Sequence, residues 1–177
     1  ECVVAVHSDS YFLDITDYEN KCAKPWRSET LCWEVFVFRK QKCRHKPAYS
    51  PFPYVDLLNP EATKAFVRHT HAEYKKRFSR YFGSVIKGYF TDEPGFYQNY
   101  LAQCANLNTV VWTEDFASRF IEKFGYDIRP NLCCLWQDMG AVSVKTRCDY
   151  YRAVADFYKQ SYFGVISDYI RPDGLKL

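Results

Sequence analysis

The chain has 177 residues, near one domain on the soft prior of roughly 150 residues each, with a remainder that suits one piece of something larger. Lys plus Arg number 24 against 21 Asp plus Glu, so the net charge of +3 excludes a polyanion binder argued from charge alone. Hydrophobic content of 47% and charged content of 25% exclude a disordered tail, while 19% aromatic residues demand either a large aromatic core or rings offered to a ligand.

In chain order, residues 1–46 read as β-rich. Val3–Val6, Tyr11–Ile15 and Trp33–Phe38 are short apolar runs rich in branched and aromatic side chains. His7-Ser8-Asp9-Ser10 between the first two is a turn, which predicts a hairpin or small meander. Pro47, Pro51 and Pro53 then remove backbone donors and place a boundary near residue 50.

After that boundary the period changes. Asn59-Pro60-Glu61 is a helix start, with Asn as N-cap, Pro in the first turn and Glu near the positive end of the dipole. Phe66, Thr70, Tyr74 and Phe78 recur at helical spacing and Gly83 is the stop, predicting one helix over about 60–82. Val85–Thr91 is short and β-prone, and it ends at Asp92-Glu93-Pro94-Gly95, where Pro94 pushes Glu93 into an extended conformation. A helix over 114–124 is expected, capped by Thr113 and stopped by Gly125, followed by a short helical or irregular connection over 130–140. A long helix over about 143–171 carries a stripe of Tyr151, Val154, Tyr158, Tyr162, Val165 and Tyr169, and Leu175–Leu177 begins a further strand. Strand, helix and strand with helices of this length form a parallel α/β pattern, whose commonest large version is the (β/α) barrel. The absent initiator Met and the close on Gly174-Leu175-Lys176-Leu177 read as an excerpt of a longer chain.

Eight Cys without a CxxC give a structural zinc site little support, and partly buried reduced thiols are the plainer reading. That favours a reducing compartment such as the cytoplasm, with a removed signal peptide and disulfides left open. No apolar run reaches the roughly 18 residues of a membrane span. Neither a phosphate loop, a dinucleotide fingerprint nor a GxSxG elbow is present, so no cofactor is expected. The basic stretch Arg39–Lys46 reads as a solvated loop rather than a nucleic-acid patch. His69 and His71, two apart on one helix, face different sides and do not chelate as a pair, so no metal is expected.

The sharpest candidate is Thr91-Asp92-Glu93-Pro94. In a (β/α) barrel the C-terminal ends of strands face the active site, where an acidic pair can serve general acid/base work. Neighbours on an extended strand point apart, so one of Asp92 and Glu93 is catalytic and the other supports it, unless both merely order the following loop. Tyr89, Phe90, Phe96, Tyr97 and Tyr100 surround the pair, and flat rings beside carboxylates suit a sugar.

Tyr54-Val-Asp-Leu-Leu-Asn-Pro-Glu-Ala-Thr-Lys-Ala-Phe, Thr70-His-Ala-Glu-Tyr and Ile86-Lys-Gly-Tyr-Phe-Thr-Asp-Glu-Pro resemble the barrel segment of large bacterial glycoside hydrolases of the α-L-rhamnosidase-like kind. Phe124-Gly-Tyr-Asp, Leu135-Trp-Gln-Asp-Met-Gly and Arg147-Cys-Asp-Tyr-Tyr continue the likeness, which covers residues 54–177. The resemblance implies a partial (β/α)8 barrel over residues 51–177 of a larger catalytic domain, preceded by a β-rich accessory segment or insertion over 1–50, acting on a glycosidic bond. It implies Glu93 as general acid with Asp92 in support, and a carbohydrate substrate held by Asp56, Tyr89, Phe96 and Tyr97. Cys133-Cys134 is not a mark of that family.

Glycoside hydrolysis needs two carboxyl groups, so the partner of Glu93 is expected from the remainder of the parent chain, leaving these residues inactive by themselves. The alternative is a non-catalytic carbohydrate-binding or structural fragment; a small disulfide-linked secreted domain is a third. No nucleic acid or membrane partner is expected.

Overall fold

The computed structural model describes residues 1–42, 54–96 and 108–177. The chain divides into two compact units, each built from two stretches: Glu1–Lys42 with Asp115–Ala153, and Cys43–Glu114 with Val154–Leu177. The expected boundary near residue 50 lies outside the described residues.

In the first unit the strands are β1 (Cys2–His7), β2 (Tyr11–Asp14), β3 (Thr16–Asp17), β4 (Cys22–Ala23) and β5 (Trp33–Phe38). An antiparallel sheet runs in the order β2-β1-β5, and β3 pairs with β4. The turn after β1 closes through Ser10 N–H to the His7 carbonyl at 3.1 Å, with Ser10 at φ +62°. Central β1 is apolar throughout because both its faces are covered. Cys2, Val4 and Val6 pack with Cys133, Cys134 and Met139, while Val3 and Ala5 pack with Ile15, Trp26 and Trp33. Edge strand β2 alternates instead, as a strand with one covered face does, while β5 packs Trp33 on one face of the sheet and Phe36 and Phe38 on the other. The 3-10 turns Arg129–Leu135 supply Cys133 and Cys134, and an Arg129–Asp127 ion pair at 2.6 Å precedes them. The helix over Phe116–Phe124, the third in chain order and labelled α3, has Asp115 at its N-cap with no side-chain cap bond. Thr113 is not that cap; its hydroxyl donates to the Asp56 carboxylate at 2.6 Å, a charge-assisted bond stronger than a neutral capping bond. Phe116 and Phe120 are fully buried, with the Phe116 ring 5.7 Å from that of Tyr150.

The second unit opens with α1 (Pro60–His69), started as the sequence predicts by the Asn59 side chain accepting from Glu61 N–H at 2.9 Å. The single helix expected over 60–82 is instead broken at Thr70, whose hydroxyl donates back to the Phe66 carbonyl at 2.7 Å. Helix α2 (His71–Phe78) and a 3-10 turn (Ser79–Tyr81) follow, and Gly83 at φ +75° ends the run. His71 continues the buried line of Thr63 and Val67 at i+4 spacing and is 5% exposed, whereas His69 is exposed.

The β-prone stretch 85–91 forms no continuous strand. It makes two single parallel bridges, Phe82 to Ile86 and Gly88 to Lys176. The second joins it to the C-terminal segment through Tyr89 N–H to the Lys176 carbonyl at 2.8 Å and Lys176 N–H to the Lys87 carbonyl at 3.1 Å. Gly88 is required there, because a Cβ would collide with the Lys176 carbonyl oxygen.

The long C-terminal helix is α4 (Ala141–Tyr158), a π-helical stretch (Lys159–Gly164) and α5 (Val165–Ile170), closed by Gly174 at φ +71°. Its buried line is Tyr150, Ala153, Phe157, Tyr162, Ile166 and Ile170, while Tyr151 of the expected stripe is 67% exposed. The wider π turn buries two neighbours, Ser161 and Tyr162, four and five residues after Phe157, and so broadens the buried face there. Leu57, Val67, Tyr162, Ile166, Ile170 and Leu175 form the core of this unit.

Gly88→Ala is expected to lower stability by about 1–3 kcal/mol, the usual cost of forcing atoms into a filled site, as read from the urea midpoint at unchanged m-value. A neutral result would mean that the Lys176 backbone yields without cost.

Candidate functional site

The segment Thr91–Pro94 follows directly on the Gly88–Lys176 bridge, and the π turn supplies its anchors. The Tyr162 hydroxyl and Thr91 Oγ1 are 2.8 Å apart, and the Tyr158 hydroxyl donates to the Pro94 carbonyl. Asp92 and Glu93, between these anchors, are exposed. Glu93 is not extended as the following proline predicts but left-handed, with φ +43°. The segment is fastened on both sides, so the chain turns between the fastenings. A non-glycine residue in this region costs about 1–3 kcal/mol, and two hydrogen bonds of about 0.5–1.5 kcal/mol each are of the right size to hold it. Strand alternation therefore does not govern where Asp92 and Glu93 point.

Thr91 also lines a cleft of about 310 Å³ together with Phe66, His71, Tyr74, Tyr89 and Phe90. Among the described residues its walls, which also include Ile166 and the terminal Leu177, carry no charged side chain. His71 sits against the Tyr89 ring at 4.3 Å and its Nδ1 lies 2.8 Å from the Thr70 hydroxyl. Burial pushes its imidazole below the ordinary value of 6.5, keeping it neutral.

The other expected site residues fall in different places. Tyr89 lines the cleft. Phe96 packs edge-on against Tyr158 at 5.2 Å and joins the core. Asp56 is not at the cleft: its carboxylate accepts from Leu58 N–H at 3.0 Å and from Thr113, which is turn-forming work. Tyr97 and Tyr100 lie outside the described residues. Three residues with a part in the site carried little sequence signal. Tyr158 and Tyr162 read as ordinary stripe residues, and His71 as half of a mismatched pair; its place four residues after Val67 and eight after Thr63 was the available clue.

Cys133 and Cys134 form a second cluster of reactive type. The Cys133 thiol is pushed up and the Cys134 thiol down to about 7, chiefly by their mutual hydrogen bond. Both are fully buried against β1, so they act as core packing and are closed to a substrate. All the described cysteines are free, and among the described residues no group of three or more His, Cys, Asp or Glu could hold a metal ion. No described helix is long and apolar enough to cross a membrane.

No protein-family model matches the chain, and the comparisons with curated proteins and with solved structures return no match.

Two measurements check this geometry. The unfolded chain binds a proton near pH 6.5 that the folded His71 resists, so stability is whole above that pH and declines below it until the folded imidazole also protonates, by at most about 1.4 kcal/mol per pH unit. His71→Gln should flatten that slope in urea titrations from pH 7.5 downward. Tyr162→Phe should cost about 0.5–1.5 kcal/mol, the worth of its bond to Thr91, and an unchanged midpoint would show that bond to be idle.

Proposed function

We propose that the chain supplies the acid half of a glycoside hydrolase site in a (β/α) barrel. The observation that carries this reading is Glu93 held left-handed between the Tyr162-anchored Thr91 and the Tyr158-anchored Pro94, with Thr91 lining an aromatic, uncharged cleft. Strain at one exposed carboxylate, held in place by bonds on both sides, is the mark of a pre-positioned group rather than of a relaxed loop. The parallel bridge between the segment leading to the carboxylates and the segment following the long helix supports a strand–helix–strand unit. The resemblance of residues 54–177 to α-L-rhamnosidase-like barrels points the same way.

On this reading the Glu93 carboxyl gives its proton to the glycosidic oxygen as the bond to the anomeric carbon breaks, with Asp92 in a supporting role. The second carboxylate comes from another strand of the parent protein. Its distance from Glu93 sets the outcome, about 5–5.5 Å for retention and roughly 6.5–9.5 Å for inversion.

A binding reading without turnover draws on Phe90 and Tyr74, whose rings are 88% and 54% exposed, as carbohydrate-stacking platforms are. The two readings separate in the protein that carries the complete barrel. Glu93→Gln should lower hydrolysis of aryl glycosides by at least a hundredfold with an unchanged circular dichroism spectrum, and Asp92→Asn by less. Near wild-type turnover in Glu93→Gln would remove Glu93 from the mechanism; the absence of any turnover in the wild type, with glycans still bound, would leave the binding reading.

A further inference from the structure

We infer that the cleft between α1, α2 and the Gly88–Thr91 segment is a subsite for one neutral sugar ring, with His71 Nε2 accepting a hydrogen bond from a ligand hydroxyl and Phe90 and Tyr89 packing the ring. This deepens the carbohydrate reading above and rests on it for the choice of a sugar among neutral hydroxylated ligands.

The protonation of the ring follows from its neighbours. The single Thr70 hydroxyl proton goes to the Phe66 carbonyl at 2.7 Å, so toward His71 Nδ1, at 2.8 Å, the same oxygen can only accept. Nδ1 therefore carries the hydrogen of the neutral imidazole and Nε2 is a bare acceptor. Among the described residues nothing bonds to Nε2. Thr63 Oγ1 is the one fully buried polar side-chain atom without a partner there, so Nε2 is not sealed in, and His71 is a lining residue of the cleft. An acceptor of this kind selects an O–H donor.

The walls decide the rest of the ligand's character. With no charged side chain in the lining, a cationic or anionic ligand would enter without a counter-charge. Phe90, at 88% exposure, and Tyr89 offer ring faces for the C–H face of a pyranose. A volume of about 310 Å³ stands at the small end of ligand sites, roughly 300–1,000 Å³, and suits a monosaccharide unit. A purely apolar ligand would fill the cleft but leave Nε2 unpaired, at a cost in affinity.

The test uses the Glu93→Gln background, so that binding is read without turnover. Methyl glycosides of glucose, galactose, mannose, xylose and rhamnose, with glucuronic acid as the charged control, are titrated by saturation-transfer NMR with ¹⁵N shifts of the histidine rings recorded. At least one neutral glycoside should bind at millimolar concentration or below and move the His71 Nε2 resonance. His71→Phe should weaken it at least tenfold, His71→Gln, which keeps an acceptor, by less, and Phe90→Ala, a change at a surface ring that spares the fold, at least fivefold. Binding indifferent to His71→Phe and Phe90→Ala, glucuronic acid bound as tightly as the neutral glycosides, or no neutral glycoside bound at all would each overturn the subsite. The catalytic reading fails separately. Loss of turnover in Glu93→Gln with sugar binding blind to His71 sinks the subsite alone, whereas His71-dependent binding in a parent protein that hydrolyses no glycoside supports the subsite and sinks the hydrolase.

Discussion

The close approach of the Gly88 backbone to the Lys176 carbonyl fixes the second unit. Two hydrogen bonds flank that contact, from Tyr89 to Lys176 and from Lys176 to Lys87, and both need the backbones at a distance that a β-carbon forbids. The bridge aligns the chain leading into Thr91 with the chain leaving the long helix, in the parallel sense that requires a crossover between them. From that alignment the helix C-terminal to Ala153 lies where its tyrosine hydroxyls can reach the Thr91–Pro94 segment. The core beneath, from Leu57 and Val67 to Ile166, Ile170 and Leu175, is non-directional and supplies stability; the bridge supplies register.

The π-helical stretch then converts register into a site. An α-helix carries its buried line forward by three or four residues a turn, and on that count the ring after Phe157 would fall at position 160 or 161. Ser161 keeps that buried place, and the π turn buries Tyr162 beside it with its hydroxyl on Thr91, while Tyr158 takes the Pro94 carbonyl. The same helix thus packs the unit and holds the strained Glu93. Bulges of this type recur at functional sites because the lost backbone bond is recovered by a gain elsewhere. At Thr70 one hydroxyl bond to the Phe66 carbonyl marks the helix break, and His71 beyond it continues the buried line of Thr63 and Val67 to the cleft wall.

Much of the fold was legible in the sequence. The branched and aromatic runs gave β1, β2 and β5 nearly residue for residue, since a buried or half-buried strand leaves a direct pattern in the side chains. Asn59-Pro60-Glu61, Gly125 and Gly174 marked helix ends through local chemistry that needs no tertiary context. Of the site, the Thr-Asp-Glu-Pro segment and Tyr89 were legible as a cluster of types suited to one chemistry. Asp56 was not: an aspartate two residues before Leu58 reads equally as ligand or as turn former, and only the position of Thr113 decides for the turn.

The sequence by itself therefore determined β1, β2 and β5, the Asn59 cap and the glycine helix stops, the aromatic excess and the acidic pair, because each depends on neighbours within a few positions. Tertiary structure alone decided that Glu93 is left-handed and that Tyr158 and Tyr162 flank the carboxylates. Those outcomes turn on contacts between residues as far apart as Thr91 and Tyr162. Local propensity differs between the alternatives by tenths of a kcal/mol to about one, and the packing of distant segments outweighs it.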